Sequence, residues 1–197
     1  METSFYSEEQ LKGLGLKEYG HHVLISRKAS FYYIENISIG NHVRIDDFCI
    51  LSGNIQIGSF VHISAGTLLY GQSSISINDY AGLSPHCVVF SASDDFSGEY
   101  LIGPLINQKY RHLVGGPVIL NRYVQIGAGC VILPNVIINE GVAVGSMSLI
   151  KKSLKEWSIY AGIPAKFIKT RSKKILEISK ISNDDVCNPM YNFLKHK

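Results

Sequence analysis

The chain contains 197 residues, of which 46% are hydrophobic and 18% are charged, and its formal net charge is +3 at pH 7. This composition is typical of one folded domain, and so small a charge gives no reason to expect a nucleic-acid partner. No apolar run approaches the roughly 18 residues of a membrane span, and the first residues lack the basic start and apolar core of a secretory signal. We therefore expect a cytoplasmic protein with neither a membrane nor a nucleic-acid partner.

The first predicted element is a short helix near the N-terminus. Ser7 and Gln10 have the spacing of a capping box, in which two side chains satisfy free amide groups at the start of a helix. Residues 1–22 therefore form a predicted N-terminal helical segment that precedes the regular part of the chain.

A six-residue period follows and runs through most of the chain. Every sixth residue over 39–69 is aliphatic, two extra residues intervene, and the row resumes over 77–89 and again over 120–150. All 15 positions of this row hold Ile, Leu or Val. The phase four residues later holds small or β-branched side chains, among them Ser73 and three cysteines, and turn residues often follow the aliphatic row.

This period predicts a triangular solenoid. Each hexad would supply one short strand and one turn, and three hexads would close a coil whose inner face is buried by stacking on its neighbours. Periods of 2 and 3.6 residues do not explain the pattern. We predict an all-β left-handed parallel β-helix over residues 23–165, with Cys49, Cys87 and Cys130 as buried free thiols.

Two segments lie outside the repeat. The first is a long protruding loop over 91–117, and a loop of this length in a compact repeat usually has a function or is disordered. The second covers 166–197, where apolar residues alternate with lysines up to Ser182, which predicts an amphipathic C-terminal helix followed by a tail.

The second block of repeats resembles the hexapeptide-repeat acetyltransferases of the maltose, galactoside and xenobiotic branch. The resemblance is carried by VQIGAGCVILPNV over 124–136, VAVGSMSLI over 142–150 and YAGIPAK over 160–166. It implies a homotrimer, acetyl-coenzyme A (acetyl-CoA) as co-substrate, and a sugar hydroxyl or amine as acceptor.

A narrower resemblance concerns the acceptor. The stretches NHVRIDD over 41–47 and SASDDFSGE over 91–99 are similar to enzymes that acetylate dTDP-4-amino-4,6-dideoxyglucose for O-antigen and related surface polysaccharides. The resemblance implies N-acetylation of a nucleotide-linked amino sugar, while O-acetylation of a saccharide hydroxyl and a noncatalytic trimeric scaffold remain alternatives. A metal-dependent hydratase needs paired histidines late in the solenoid, and residues 120–150 contain none, so we expect no metal.

The general base must be sought within the repeat. Where the maltose and galactoside enzymes open the long loop with a catalytic His, this chain carries Asp94. His62 follows the inward Val61, so strand alternation directs it outward, and an imidazole suits base catalysis. We predict His62 as the base and Asp94 as its orienting or substrate-binding partner, against the alternatives of an interface His and a turn-forming carboxylate.

The spacing of these two residues adds a geometric prediction. They are 32 residues apart, which is five hexads plus the two-residue insertion. Five hexads make one coil and two thirds, so His62 and Asp94 should lie on different faces of one subunit and meet only across a subunit interface.

The remaining predicted site residues concern binding. The acceptor is expected to contact three residues of the long loop: Asp95, Glu99 and Tyr100. The resemblance places the pantetheine arm along small residues of the late coils: Ala128 and Ser146. Basic residues after the repeat are expected to bind the phosphates of coenzyme A, unless they form a solvated helix face: Lys166 and Arg171.

Overall fold

The computed structural model describes residues 4–179. Its strands stack into a parallel β-solenoid of about seven turns, which confirms the predicted left-handed β-helix. The strands of successive coils pair to form three flat faces, which we name A, B and C.

Face A carries one two- to four-residue strand from each coil. Its strands are β2 (Leu24–Ile25), β5 (Arg44–Ile45), β7 (His62–Ile63), β9 (Gly82–Leu83), β14 (Gln125–Ile126), β17 (Ala143–Val144) and β19 (Ser158–Ala161).

Faces B and C share two long strands that turn a corner, namely β6 (Ile50–Ile57) and β8 (Leu68–Ile77). Face B holds their first halves together with β3 (Ser30–Tyr32), β10 (Val88–Phe90), β15 (Val131–Ile132) and β18 (Leu149–Ile150). Face C holds their second halves together with β1 (Glu18–Tyr19), β4 (Ile37–Ile39), β13 (Val118–Leu120) and β16 (Val136–Ile138).

The aliphatic row of the repeat forms the core. All 15 of its residues are buried inside the solenoid, as the period predicted. Burying each such side chain stabilises the fold by about 2 kcal/mol. The two-residue insertion is absorbed in β8, where the register shifts so that Ile75 pairs with Ile55. Ile75 is buried and Ser73 is only half-buried, so the prediction that Ser73 belongs to the inward row is wrong.

The corner between faces C and A carries a ladder of stacked rings. In the sixth of the seven coils Gly141 takes this position, and in each of the other six a ring-bearing residue adopts the left-handed backbone conformation there: His22, His42, Phe60, Tyr80, Tyr123 and Trp157. The rings of Phe60 and Tyr80 are parallel within 4° at a centroid distance of 4.8 Å. Stacking of this kind offsets the steric cost of left-handed backbone.

The three solenoid cysteines are buried free thiols, as predicted. Each thiol donates a hydrogen bond of 3.2 Å to a backbone carbonyl at the same corner of the next coil, and the acceptors are Ser64, Gly127 and Gly145. Burial raises the pKa of Cys49 and of Cys87 to about 11 and also raises that of Cys130. These side chains therefore act as small hydrophobic residues with one weak donor.

The protruding loop leaves face B after Phe90 and has a two-stranded stem. The strands β11 (Ala92–Asp94) and β12 (Leu113–Gly115) pair antiparallel, and a short 3₁₀ helix (Gln108–Tyr110) precedes β12. The loop beyond the stem exposes large apolar side chains: Phe96, Tyr100, Leu101, Ile102, Leu105 and Tyr110. The most exposed is Leu105, at 97%.

The N-terminal helix forms where the sequence predicted it. The helix α1 (Glu8–Lys12) begins at the predicted capping box, in which the Ser7 hydroxyl accepts from the Gln10 amide and the Gln10 side chain accepts from the Ser7 amide. A second 3₁₀ helix (Ile34–Asn36) lies between β3 and β4.

No helix within residues 4–179 is long and apolar enough to cross a membrane.

The predicted C-terminal helix is largely replaced by a strand. Residues Lys166–Thr170 form β20, which pairs antiparallel with β19, and the helix α2 covers only Ile175–Ile178. Because β19 is the last solenoid strand of face A, its edge offers unpaired backbone groups that the returning chain satisfies. Residues 180–182 of the predicted helix and the tail 183–197 lie outside the described residues.

Candidate active site

His62 projects from face A, as strand alternation predicted. Its side chain is 49% exposed, and Nε2 lies 2.7 Å from Oδ2 of Asp46, which is only 16% exposed. Oδ1 of Asp46 accepts a hydrogen bond of 2.6 Å from Nε of Arg44. Because an ionised carboxylate only accepts, Nε2 must donate to it, which leaves the lone pair on Nδ1 of a neutral imidazole. This is the arrangement of an oriented general base.

The partner of His62 was missed in the sequence. Arg44 and His62 are paired neighbours on successive coils, and Asp46 follows Arg44 by two residues. The signal was available, because Arg44 precedes His62 by 18 residues, which is one complete coil. Within one chain, the carboxylate that orients His62 is therefore Asp46.

Asp94 lies in the loop stem, away from face A. It is in β11, whereas His62 is in a strand of a different sheet, so the two residues lie on different parts of one subunit as the spacing predicted. Oδ1 of Asp94 accepts a hydrogen bond of 2.9 Å from Nη2 of Arg111. Nε of Arg111 is buried and has no hydrogen-bond partner within residues 4–179. A meeting of His62 and Asp94 across a subunit interface stays a prediction.

The loop contains a second pair of a histidine and a carboxylate. Nδ1 of His112 lies 2.8 Å from Oδ2 of Asp95, while Oδ1 of Asp95 accepts from the amide of Ser97 at 2.6 Å. The hydrogen bond from His112, followed by those from Ser97, lowers the pKa of Asp95 to about 2. The ring of Tyr100 lies 5.1 Å from that of His112. The loop thus brings together the predicted Asp95 and Tyr100, and Glu99 is exposed beside them.

His112 was not among the predicted site residues. It faces Asp95 only because β11 and β12 pair antiparallel. The loop sequence lacks the alternation of apolar and polar residues from which those strands could have been predicted.

The predicted coenzyme A residues fall into two groups. Ala128 and Ser146 lie at the same corner in successive coils, half-buried and exposed respectively, and Lys166 is exposed at the start of β20. Arg171 is different, because its Nη1 donates to three backbone carbonyls: Tyr123, Gly141 and Val142. The solenoid thus holds Nη1 of Arg171, and a role of this residue in binding phosphate stays a prediction. Burial lowers the pKa of Arg171.

The outer surfaces of faces A and B differ in polarity. Face A presents Arg44, His62 and Gln125, whereas face B presents a column of half-buried aliphatic side chains. That column consists of Ile50, Leu68, Val88, Val131 and Leu149, which are paired neighbours on successive coils. Within the described residues, no group of three or more His, Cys, Asp and Glu side chains could hold a metal ion.

Comparison with known proteins connects this site to acyl transfer. No protein-family model matches the chain. A dTDP-4-amino-4,6-dideoxy-D-glucose acyltransferase from Escherichia coli is 41% identical over 181 residues, which cover 90% of this chain and 94% of that protein.

Solved structures of two other proteins have the same fold. AntD, an N-acyltransferase from Bacillus cereus in complex with dTDP and 3-hydroxybutyryl-CoA, is 52% identical with a TM-score of 0.88 and covers 90% of this chain and 95% of its own. A serine variant of AntD was solved with dTDP-4-amino-4,6-dideoxyglucose and coenzyme A. A maltose O-acetyltransferase from Clostridium difficile is 20% identical with a TM-score of 0.56 over 84% of this chain and 75% of its own, a likeness of fold alone. The chain therefore belongs to the dTDP-4-amino-4,6-dideoxyglucose acyltransferases, within the hexapeptide-repeat acyltransferases.

Proposed function

We propose that this chain transfers an acetyl group from acetyl-CoA to the 4-amino group of dTDP-4-amino-4,6-dideoxyglucose. The observation that carries this proposal is the 52% identity, over nearly the whole of both chains, to AntD, which was crystallised with this amino sugar and coenzyme A. The proposal includes a cytoplasmic location and the use of the product in O-antigen or related surface polysaccharides.

The chemistry requires an amine to attack a thioester. The neutral amine forms a bond to the carbonyl carbon and gives an oxyanion, the carbon–sulfur bond then breaks, and the amide and the coenzyme A thiolate form. The amine loses a proton in this sequence, and the thiolate takes one up. The protein must therefore orient both substrates and receive the proton of the amine.

His62 is the proposed proton acceptor, with Asp46 as its positioning residue. The hydrogen bond from Nε2 to Asp46 leaves Nδ1 as the acceptor atom and stabilises the imidazolium once it forms. Asp94, Asp95, Glu99 and Tyr100 are proposed to contact the acceptor from the loop. Ala128, Ser146 and Lys166 are proposed to contact the donor.

A homotrimer is part of this proposal. The aliphatic column on the outside of face B and the apolar side chains of the loop are more exposed apolar surface than a monomer needs. Closed threefold symmetry would cover face B and place the loop of one chain beside face A of the next. Asp94 and His62 would then come from two chains.

A 3-hydroxybutyryl group is a second candidate for the acyl group that is transferred. Because AntD was crystallised with 3-hydroxybutyryl-CoA, this acyl chain is the second candidate donor for the present protein.

The test is an assay of thiol release from acetyl-CoA and 3-hydroxybutyryl-CoA with three acceptors. These are dTDP-4-amino-4,6-dideoxyglucose, dTDP-glucose as the hydroxyl control, and maltose. We expect release only with the amino sugar, together with a product whose mass has increased by one acyl group. Thiol release with dTDP-glucose or maltose but not with the amino sugar would contradict N-acylation. Absence of thiol release with every acceptor would contradict the proposed acyltransferase activity.

A further inference from the structure

The line of contacts that ends at His62 starts in the N-terminal segment of the chain. Each oxygen of Asp46 has its own partner, because Oδ1 accepts from Nε of Arg44 at 2.6 Å and Oδ2 accepts from Nε2 of His62 at 2.7 Å. On its other side, Cζ of Arg44 lies 5.3 Å from the centroid of the Phe5 ring. Four side chains therefore form one continuous line from the N-terminal segment to the proposed base.

Backbone pairing fixes the position of Phe5. This residue forms an antiparallel bridge with Ser26, and the amide of the next residue, Tyr6, donates a hydrogen bond of 2.9 Å to the carbonyl of Ile25. Ile25 belongs to β2, so the N-terminal segment covers the edge at which face A begins. Phe5 itself is only 7% exposed. Its ring is thus a fixed surface against which Arg44 rests.

Arg44 needs such a support because its side chain is long and 43% exposed. An exposed arginine samples many rotamers, and an ion pair at this exposure contributes little to the stability of the fold. The face of an aromatic ring attracts a guanidinium and restricts its motion. The contact with Phe5 therefore favours the conformation of Arg44 in which Nε meets Asp46.

The charge of Arg44 works against the proposed base. Arg44 and His62 are paired neighbours on successive coils, and neighbouring strands of a sheet are about 4.8 Å apart. When His62 accepts a proton it becomes a second cation beside the guanidinium, and like charges repel. Any benefit of Arg44 to the base therefore comes from the geometry of Asp46 rather than from attraction.

We propose that Phe5 and Arg44 are positioning residues for acyl transfer. Phe5 holds Arg44, and Arg44 holds one oxygen of Asp46. The other oxygen then stays aligned with Nε2 of His62, which keeps the imidazole in its reactive orientation. The proposal rests on the proposed function, in which His62 accepts the proton of the amine, and deepens it by adding the N-terminal segment to the active site.

The central test replaces the ring of Phe5 by an aliphatic side chain. Phe5→Leu keeps apolar bulk but removes the face of the ring, so we expect kcat with the amino sugar to fall about 3- to 10-fold. The KM for the amino sugar and the Kd for coenzyme A should stay unchanged, because Phe5 acts on the orientation of the base and not on binding. Phe5→Tyr, which keeps the ring, should restore most of the lost kcat. The matched control is Tyr6→Leu in the same segment, where a half-buried ring packs against the core, and its kcat should not change.

A second variant acts on the other side of the same contact. Arg44→Met removes the guanidinium from an exposed position, so the midpoint of urea unfolding should stay the same while kcat falls at least as much as in Phe5→Leu. This variant decides the matter if Phe5→Leu lowers the midpoint of unfolding.

A double variant separates positioning from a general effect on the structure. In a His62→Ala background, Phe5→Leu should leave kcat at the value of His62→Ala alone, because Phe5 acts only through the base. A purely structural role would lower kcat by the same factor in both backgrounds.

The outcomes distinguish this proposal from the function on which it rests. If the wild-type protein releases no thiol with the amino sugar, the proposed function is wrong, and wild-type turnover in His62→Ala would reject the base and the positioning residues together. If His62→Ala lowers kcat while Phe5→Leu and Arg44→Met retain wild-type kcat, the positioning role is overturned and the base survives. An equal loss from Phe5→Leu in both backgrounds would also overturn it.

Discussion

At the scale of single residues, His62 is held by one carboxylate that is itself held by Arg44. We expect His62→Ala to lower turnover by about 10² to 10⁴, the usual contribution of a general base, with little change in the affinity for coenzyme A. The loss should shrink as pH rises, because an amine acceptor then loses its proton without help. The measurement is kcat against pH, and wild-type turnover at neutral pH would reject His62.

The matched control for that variant is His86→Asn. His86 is an exposed histidine at a corner of the solenoid, with φ of 60°, and asparagine tolerates this backbone conformation. It should retain wild-type kcat.

The role of Asp46 can be separated from that of the base. Asp46→Asn keeps the size of the side chain but removes the charge that fixes the tautomer of His62 and stabilises its protonated form. We expect kcat to fall, by less than in His62→Ala, with KM nearly constant. An Asp46→Asn enzyme in which only KM changes would place Asp46 in substrate binding instead.

The lowered pKa of Asp95 leads to a prediction about stability at low pH. Because the hydrogen bond from His112 depresses its folded-state pKa to about 2, from an ordinary 3.8, the stabilisation is present above about 3.8 and is lost as pH falls towards 2. Because its partner His112 is exposed, solvent and salt screening make the effect on global stability small. An NMR titration should place the carboxyl midpoint near 2, and His112→Ala should return it towards 3.8. An unchanged midpoint in that variant would contradict the pairing.

At the scale of elements, β20 is fastened to the solenoid by Arg171. Loss of three charge-assisted hydrogen bonds to buried backbone carbonyls should destabilise the fold by about 2 kcal/mol in Arg171→Ala, measured by urea unfolding. Arg171→Lys should restore part of the stability, because all three contacts are made by one nitrogen and an ammonium carries three N–H donors on a shorter side chain.

A donor-site variant in the same segment provides the contrast. Lys166→Glu, with its exposed side chain, should weaken coenzyme A binding and leave stability unchanged. The reverse pattern, with stability lost only in Lys166→Glu, would contradict both assignments.

The elements also show what the sequence could predict. The aliphatic row and the capping box act locally or through a fixed period, so both were found from residue types alone. The strand β20 was predicted as a helix because its apolar residues and lysines fit a helical face, whereas the unpaired edge of β19 decided its conformation. The Asp95–His112 contact depends on strand pairing in the loop, which no repeat encodes.

At the scale of the whole molecule, the outer surface of face B decides assembly. A charge in its aliphatic column would be buried unpaired in a trimer, so Leu68→Asp should give a monomer with intact secondary structure and no activity. Ile137→Asp, on the outside of face C, should remain trimeric and active. Sedimentation of both variants is the measurement, and the opposite result would move the interface to face C.

The buried thiols also mark positions along the axis of the solenoid. Cys49, Cys87 and Cys130 lie in the second, fourth and fifth coils, and as protonated, enclosed groups they are poor nucleophiles towards a thiol reagent. In a Cys187→Ser background, each would be labelled only when its own coil opens. Because coils contact only their neighbours, such a stack can separate progressively from an end. The order in which the three sulfurs are labelled in mild denaturant would then tell from which end the solenoid unwinds.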